Sequence, residues 1–190
     1  MNAMSDNALM LKVKAGQMDK LGLLYERYSR ALFGYFYRMT GNRSNLSEDL
    51  VQNVFYRMMK YRHTFKEDGH FRAWMYQMAR NVFADEYRKP NPIQHSQDID
   101  TTQIEPDQAT GIEQQIAQQE EVELLHAALK LLSHEKREVL ILSRFQQMKY
   151  HEIAEVTNST EGAVKVRVYR AMQELKRVYQ TLQSKTAHEQ

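Results

Sequence analysis

Apolar residues recur at steps of three and four along most of the chain, the period of an α-helix with one face turned inward. The first stretch of this kind predicts a helix over about 6–14, with Gly16 ending it. A second helix, over about 18–39, carries Leu21, Leu24, Tyr25, Tyr28, Leu32, Tyr35, Phe36 and Met39 at helical spacing, and Thr40-Gly41-Asn42 breaks it. A third is predicted over about 46–61, with Ser44 or Asn45 as N-cap and Glu48 and Asp49 in the first turn, where negative charge suits the helix dipole. Its apolar arc is Leu50, Val51, Val54, Phe55 and Met58. A fourth, over about 71–88, buries Phe71, Met75, Met78 and Val82 and stops at Lys89-Pro90.

The pattern then lapses. Residues 90–112, PNPIQHSQDIDTTQIEPDQATGI, hold turn formers and few large apolar side chains, and read as a linker that is disordered when free. Helical spacing resumes with Ile112, Ile116, Leu124, Ala128, Leu129 and Leu132. Ser133 caps a further helix, HEKREVLILSRF. A short helix, a tight turn and a longer basic helix follow in YHEIAEVTNSTEGAVKVRVYRAMQELKR, residues 150–177, and the tail SKTAHEQ is expected to fray. On the longer helix Val164, Val168, Met172 and Leu175 share one face, whereas Lys165, Val166, Tyr169, Arg170 and Gln173 fall on the opposite arc.

Composition narrows the fold class. Only 7 Gly and 3 Pro interrupt 190 residues, so an all-α protein of two small helical domains joined by a flexible acidic linker is predicted. The boundaries are 1–89, 90–112 and 113–190, the last containing the helix-turn-helix. There is no run of about 18 apolar residues, so no membrane insertion is expected. The N-terminus lacks the basic-then-apolar layout of a signal peptide. The absence of cysteine excludes disulfides and thiolate metal sites and suits a cytoplasmic protein.

The net charge of +2 conceals an uneven distribution. Between residues 90 and 123 stand eight acids (Asp98, Asp100, Glu105, Asp107, Glu113, Glu120, Glu121, Glu123) and neither Lys nor Arg. The rest of the chain is strongly basic. Two basic blocks around an acidic connector point to a polyanion as partner.

The chemistry of the exposed arcs agrees. Two cations, a tyrosine and an amide on one helix face suit a major groove, where phosphates need positive charge and base edges need donors. Asn158 occupies the turn position that needs a left-handed backbone, and Thr160 is placed as N-cap of the second helix. Glu161, Gly162 and Ala163 leave room for a phosphate backbone at the helix start. The plain alternative is a helical hairpin that packs inward and binds nothing. On the third helix Asp49, Gln52, Asn53, Tyr56 and Arg57 form a mixed polar face, either a protein-docking surface or simply solvated. On the fourth, Gln77, Arg80, Asn81, Ala84 and Arg88 share an arc beside Trp74, preceded by Tyr61-Arg62-His63-Thr64-Phe65-Lys66. Aromatics interleaved with cations suit a single strand, although the same rings could be core. Enzyme signatures are poor. His151-Glu152-Ile153-Ala154-Glu155 has Glu where a zinc-protease motif needs its second His. No Gly-rich phosphate loop or GxSxG occurs, so neither catalysis nor a cofactor is expected.

Taken in order, these motifs resemble those of the small extracytoplasmic-function (group 4) sigma factors of bacterial RNA polymerase. SEDLVQNVFYRMMKY resembles the family's clamp-binding helix, FRAWMYQMARNVFADEYRK its −10 segment, and the stretch from Leu132 to Lys176 its −35-reading domain. The resemblance implies that Asp49, Gln52 and Asn53 dock on the polymerase β′ clamp. It implies that Asn81, with Trp74, Gln77, Arg80, Arg88 and the loop holding His63 and Lys66, binds the unwound −10 strand with a base flipped from the stack. It implies that Lys165, Val166, Tyr169 and Arg170 face the −35 major groove behind Thr160, with Arg167 on a phosphate. Core polymerase (β′ clamp and β flap), promoter DNA and an anti-sigma factor are the implied partners. The chain departs from the family in two places: Val166 stands where a small polar residue is common, which favours contact with a thymine methyl, and Asn158 replaces the turn glycine. Two other readings fit parts of the pattern: a stand-alone helix-turn-helix regulator, and a polymerase-binding anti-activator that does not read DNA.

Overall fold

The computed structural model describes residues 4–88 and 112–188, and the connector assigned to 90–112, with the faces of Ile112 and Ile116, lies outside the described side chains. All regular structure among the described residues is helical. Four helices form the first group: α1 (Asp6–Lys14), α2 (Asp19–Thr40), α3 (Ser44–Lys60) and α4 (Phe71–Arg88). Four form the second: α5 (Ile112–Leu131), α6 (His134–Leu140), α7 (Tyr150–Thr157) and α8 (Glu161–His188).

In the first group the periodic residues meet as predicted. Leu24, Leu32 and Phe36 of α2, Leu50, Val54 and Met58 of α3, and Phe71, Met75 and Val82 of α4 are almost fully buried. Tyr25 departs from its predicted arc: it is 46% exposed and lays its ring against Phe55 at 4.9 Å. Gly41 ends α2 at φ 76°, followed by Asn42 at φ 71°, and both backbone N–H groups donate to Tyr37 O.

The start of α3 differs from prediction. The helix begins at Ser44, its N-cap is Arg43, and no acid lies in the first turn. The cause is a local hydrogen-bond set: Arg43 N donates to Thr40 Oγ1 (3.3 Å) and Ser47 Oγ donates to Arg43 O (2.6 Å). Thr40 and Ser47, both buried, also bond to each other at 3.2 Å. The Thr40 hydroxyl of the preceding helix thus takes up the N–H of the N-cap residue itself, and no side chain caps the first turn of α3 where Ser44 or Asn45 was expected to.

In the second group, Ser133 holds the N-cap position of α6 but makes no side-chain cap bond. The helical run continues past Leu140 as a π turn, Ile141–Phe145. Of the tail SKTAHEQ, expected to fray, Glu189 and Gln190 lie outside the described residues, and α8 runs through the rest. It continues to His188, with Val178, Tyr179 and Leu182 half-buried along one side and α5 packed against it.

The two groups are not separate. α7 packs across α4, α6 and the π turn pack on α2, and one apolar cluster runs from Leu9 to Ala171. A polar seam lines the junction. Arg137 Nη1 donates to Met39 O (3.0 Å), and Gln146 Nε2 donates to Ala31 O (3.2 Å). Asn42 Nδ2 lies 3.2 Å from His126 Nδ1.

Candidate nucleic-acid interface

Three polar surfaces predicted from the sequence can be located. The first is on α8. Asn158 adopts the left-handed conformation (φ 48°, ψ 50°) and turns the chain out of α7. Thr160 Oγ1 then accepts from Ala163 N at 3.2 Å, capping α8 as expected. Val164, Val168 and Ala171 are buried, with Met172 and Leu175 half-buried beside them. This fixes the helix rotation and turns Lys165, Val166, Tyr169, Arg170 and Gln173 outward. Val166 is 49% exposed and Tyr169 66%, high for apolar side chains beside a packed core. Arg167 lies half-buried at the edge of the arc. Beyond the arc, Glu174 is held by Lys136 of α6.

The second surface is on α3. Leu50, Val54 and Met58 point inward, leaving Asp49, Gln52 and Tyr56 exposed and Asn53 half-buried. With Arg57, Lys60, Tyr61 and Asp85 they line a shallow concavity of about 730 Å³. Arg57 organises its floor, donating Nε to Asn53 Oδ1 (3.1 Å) and pairing with Asp85 on α4 (2.8 Å). Asn53 thus enters the surface already oriented.

The third surface, on α4 and the loop before it, is divided. His63, Lys66, Asn81 and Arg88 are exposed. Trp74 is half-buried, donating Nε1 to Thr64 Oγ1 (3.3 Å) and meeting Phe65 edge-on at 5.3 Å. Phe65 itself is core, 1% exposed, so of the loop's two aromatics only Tyr61 is open for stacking. Gln77 and Arg80 point into the seam. Gln77 Nε2 donates to Glu155 O at 2.7 Å, and Arg80 Nε donates to both oxygens of Glu138 at 3.1 and 3.2 Å.

Sequence reasoning missed the partners of that seam. Glu138 is 1% exposed, and besides Arg80 it accepts from Tyr35 OH at 3.2 Å. Burial and the neighbouring Glu138 carboxylate hold the Tyr35 hydroxyl well above its usual pKa, so it remains a donor. Tyr76 OH donates to Gln146 Oε1 (2.7 Å), and its pKa is likewise pushed up, mainly by burial. An acid directly before the apolar run Val139-Leu140-Ile141-Leu142, at helical spacing from Ile141 and Leu142, is the one signal that could have exposed the arrangement, because a carboxylate on that buried face needs a cation from elsewhere. The near-motif at His151 holds no metal cluster: among the described residues no three metal-ligating side chains converge. Glu152 instead accepts from Lys149 N at 2.8 Å and starts α7.

Comparison with known proteins decides the family. The Sigma-70 region 2 family model matches residues 24–91, and the Sigma-70 region 4 model matches residues 122–175. The RNA polymerase sigma factor YlaC of Bacillus subtilis is 30% identical over 162 residues, covering 84% of this chain and 91% of that protein. The extracytoplasmic-function sigma factor BldN of Streptomyces coelicolor is 28% identical over 182 residues, covering 92% and 67%. The chain belongs to the extracytoplasmic-function sigma factors. Solved structures share its fold. CnrH in complex with the cytosolic domain of CnrY superposes with a TM-score of 0.71 at 24% identity, covering 93% of this chain and 97% of that one. The sigma factor RpoE of Bartonella quintana, with the anti-sigma factor NepR, gives 0.65 at 22%, covering 84% and 96%. This sigma factor directs RNA polymerase to promoters, and matches to both regions in order set aside the stand-alone regulator and the anti-activator. Among the described residues no helix is long and apolar enough to cross a membrane.

Proposed function

We propose that this sigma factor divides promoter recognition between its two helical groups, with boundaries at 1–89, 90–112 and 113–190. α8 reads the −35 duplex. Lys165 supplies charge to the backbone, Arg170 hydrogen-bonds a base edge, Val166 and Tyr169 make the apolar contacts, and Arg167 reaches a phosphate behind the Thr160 cap. α4 and its entry loop hold the melted −10 strand through His63, Lys66, Trp74, Gln77, Arg80, Asn81 and Arg88. Asp49, Gln52 and Asn53 dock on the β′ clamp, and the second group meets the β flap. The chain acts in the cytoplasm, performs no catalysis of its own and needs no cofactor. CnrH and the Bartonella RpoE are seen with CnrY and NepR, and an anti-sigma factor of comparable kind is proposed as its inhibitor.

One observation carries the reading: the outward arc of Lys165, Val166, Tyr169 and Arg170, oriented by a capped helix-turn-helix in the region 4 match. Run-off transcription tests it. Core polymerase should initiate specifically on promoters of the source genome only when this chain is added. Arg170→Ala should remove −35-dependent initiation while leaving binding to core polymerase intact. Unchanged initiation by that variant would overturn the α8 assignment.

A further inference from the structure

The loop that exposes His63 and Lys66 is held by a helix outside the pair it joins. Between Lys60, which ends α3, and Phe71, which starts α4, the chain forms one 3₁₀ turn, Arg62–Thr64. Phe65 roots the loop in the core, edge-on to Phe71 at 6.4 Å and to Trp74 at 5.3 Å. Its carbonyl accepts from Lys14 Nζ of α1 at 2.6 Å. A tight turn follows, in which Gly69 N donates to Lys66 O at 3.1 Å. Asn7 of α1 then grips the backbone on both sides of His70. Its Nδ2 donates to Gly69 O (2.7 Å), and its Oδ1 accepts from Phe71 N (2.9 Å). Phe71 N is one of the donors that a helix start leaves without an internal partner, and Asn7 satisfies it from a different helix. α1 is itself well fixed. Leu9, Met10 and Val13 are fully buried, and Asp6 accepts from Arg27 Nη1 at 2.6 Å and from Tyr28 OH on α2. Asn7 and Lys14 stand about two turns apart and so share one side of the helix. The region 2 match begins at residue 24, so α1 lies outside it.

We infer that α1 belongs to the strand-binding machinery: Asn7 and Lys14 are positioning residues that set the pose of the loop at His63 and Lys66, and of the first turn of α4, without touching DNA themselves. The inference rests on the −10 assignment made above. Both side chains grip backbone atoms, one before Lys66 at Phe65 O and one after it at Gly69 O. Lys66 is thereby presented between two fixed points, while its own side chain stays free for a phosphate. A loop without these anchors would be ordered only on meeting the strand, and that ordering would be subtracted from affinity. α1 removes the cost in advance.

Holoenzyme binding to a forked promoter with a single-stranded −10 segment tests this. Asn7→Ala and Lys14→Met should each weaken it by about two- to tenfold, the worth of one or two hydrogen bonds. Affinity for core polymerase should not change. Lys14→Arg, which keeps a donor, should bind as the unaltered chain does. Amide hydrogen exchange over residues 65–71 should quicken in both losing variants. Coupling separates positioning from mere stabilisation. Lys66→Ala should lose affinity in the unaltered chain and lose much less once Asn7→Ala is present, because the side chain it removes is then no longer held in place. Lys14 is exposed, so Lys14→Met carries the same coupling test if Asn7→Ala folds poorly. Full additivity with Lys66→Ala, or unchanged fork binding by the α1 variants, overturns the inference. Failure of the −10 assignment looks different: His63→Ala, Lys66→Ala and Asn81→Ala would all leave fork binding unchanged in an otherwise unaltered chain, and the inference would fall with it.

Discussion

α4 and α8 are built alike and are used differently in the same molecule. Each is an amphipathic helix whose apolar stripe locks its rotation, Phe71, Met75 and Val82 in one and Val164, Val168 and Ala171 in the other. Each turns an arc of cations and amides away from its own core. On α8 that arc is open, and its residues stand exposed to solvent. On α4 Arg80 of that arc is taken by Glu138 and Gln77 by the backbone of Glu155. A basic polar arc therefore states only that something polar or acidic will be met there. Whether it is DNA or another part of the chain depends on where the carboxylates of the fold end up.

The largest expected effect falls on the open arc. Arg170→Ala should cost about 1–3 kcal/mol of −35 recognition if the guanidinium grips a base edge in two places, a loss of roughly 5- to 150-fold in initiation from −35-dependent promoters. Lys165→Ala should weaken binding more evenly across sequences and lessen its salt dependence. Equal behaviour of the two variants across promoter sequences would mean that Arg170 touches only backbone.

On the covered arc a charge exchange separates the internal use of Arg80 from its external one. Arg80→Glu places a second acid beside Glu138 and should open the chain. Adding Glu138→Arg should restore closure, with a coupling energy of about 0.5–3 kcal/mol in a double-mutant cycle, because the pair is remade in reverse. The doubly exchanged holoenzyme should still lack the strand contact and initiate poorly. Recovery of full initiation together with closure would show that Arg80 serves the seam alone.

A smaller, pH-dependent effect comes from His126, at the other end of the seam. Its Nδ1 can only accept from the Asn42 amide, so the ring is neutral there, and it packs edge-on to Tyr37 at 5.8 Å. Burial, and then the charges of Arg38 and Lys130, lower its pKa from 6.5 to about 4. The folded ring therefore resists a proton that the unfolded ring accepts. Its contribution is whole above pH 6.5, falls as pH drops toward 4, and levels off below that. The loss should be about 2 kcal/mol in chemical denaturation between pH 7 and 4.5, and His126→Gln should flatten that part of the profile.

These differences mark what could be read from the chain itself. α1 and α4 were legible to the residue, because their apolar stripes and stop signals are local. The face assignments of α3 and α8 held for the same reason. The start of α3 was not legible, because it is set by hydrogen bonds of Thr40 and Ser47 to Arg43 and to each other across the turn from the preceding helix. Nor was the continuation of α8 to His188, beyond Val178, Tyr179 and Leu182, which are half-buried along one side. The seam joins positions far apart in sequence, Arg80 with Glu138 and Tyr35 with the same carboxylate. No periodicity connects them. Only the acid directly before an apolar run, on the face of Ile141 and Leu142, pointed to a cation arriving from outside its own group.

The smallest effect concerns how α8 acquires its pose. Asn158 sits exposed at φ 48° and its backbone N–H bonds into the end of α7, so the position asks for a backbone conformation and makes little use of the side chain. Asn158→Gly should match or slightly raise stability, by about half a kcal/mol at most, since glycine takes this conformation without steric cost. Asn158→Val should lose about 1–2 kcal/mol, because a branched Cβ crowds the carbonyl there. Both can be read from thermal unfolding. The angle of α8 is set by Val164 and Val168 against the core, so −35 affinity should be unchanged in the glycine variant. A drop in affinity without a drop in stability would mean that the asparagine side chain itself helps to hold the DNA, and that the open arc of α8 extends back across the turn.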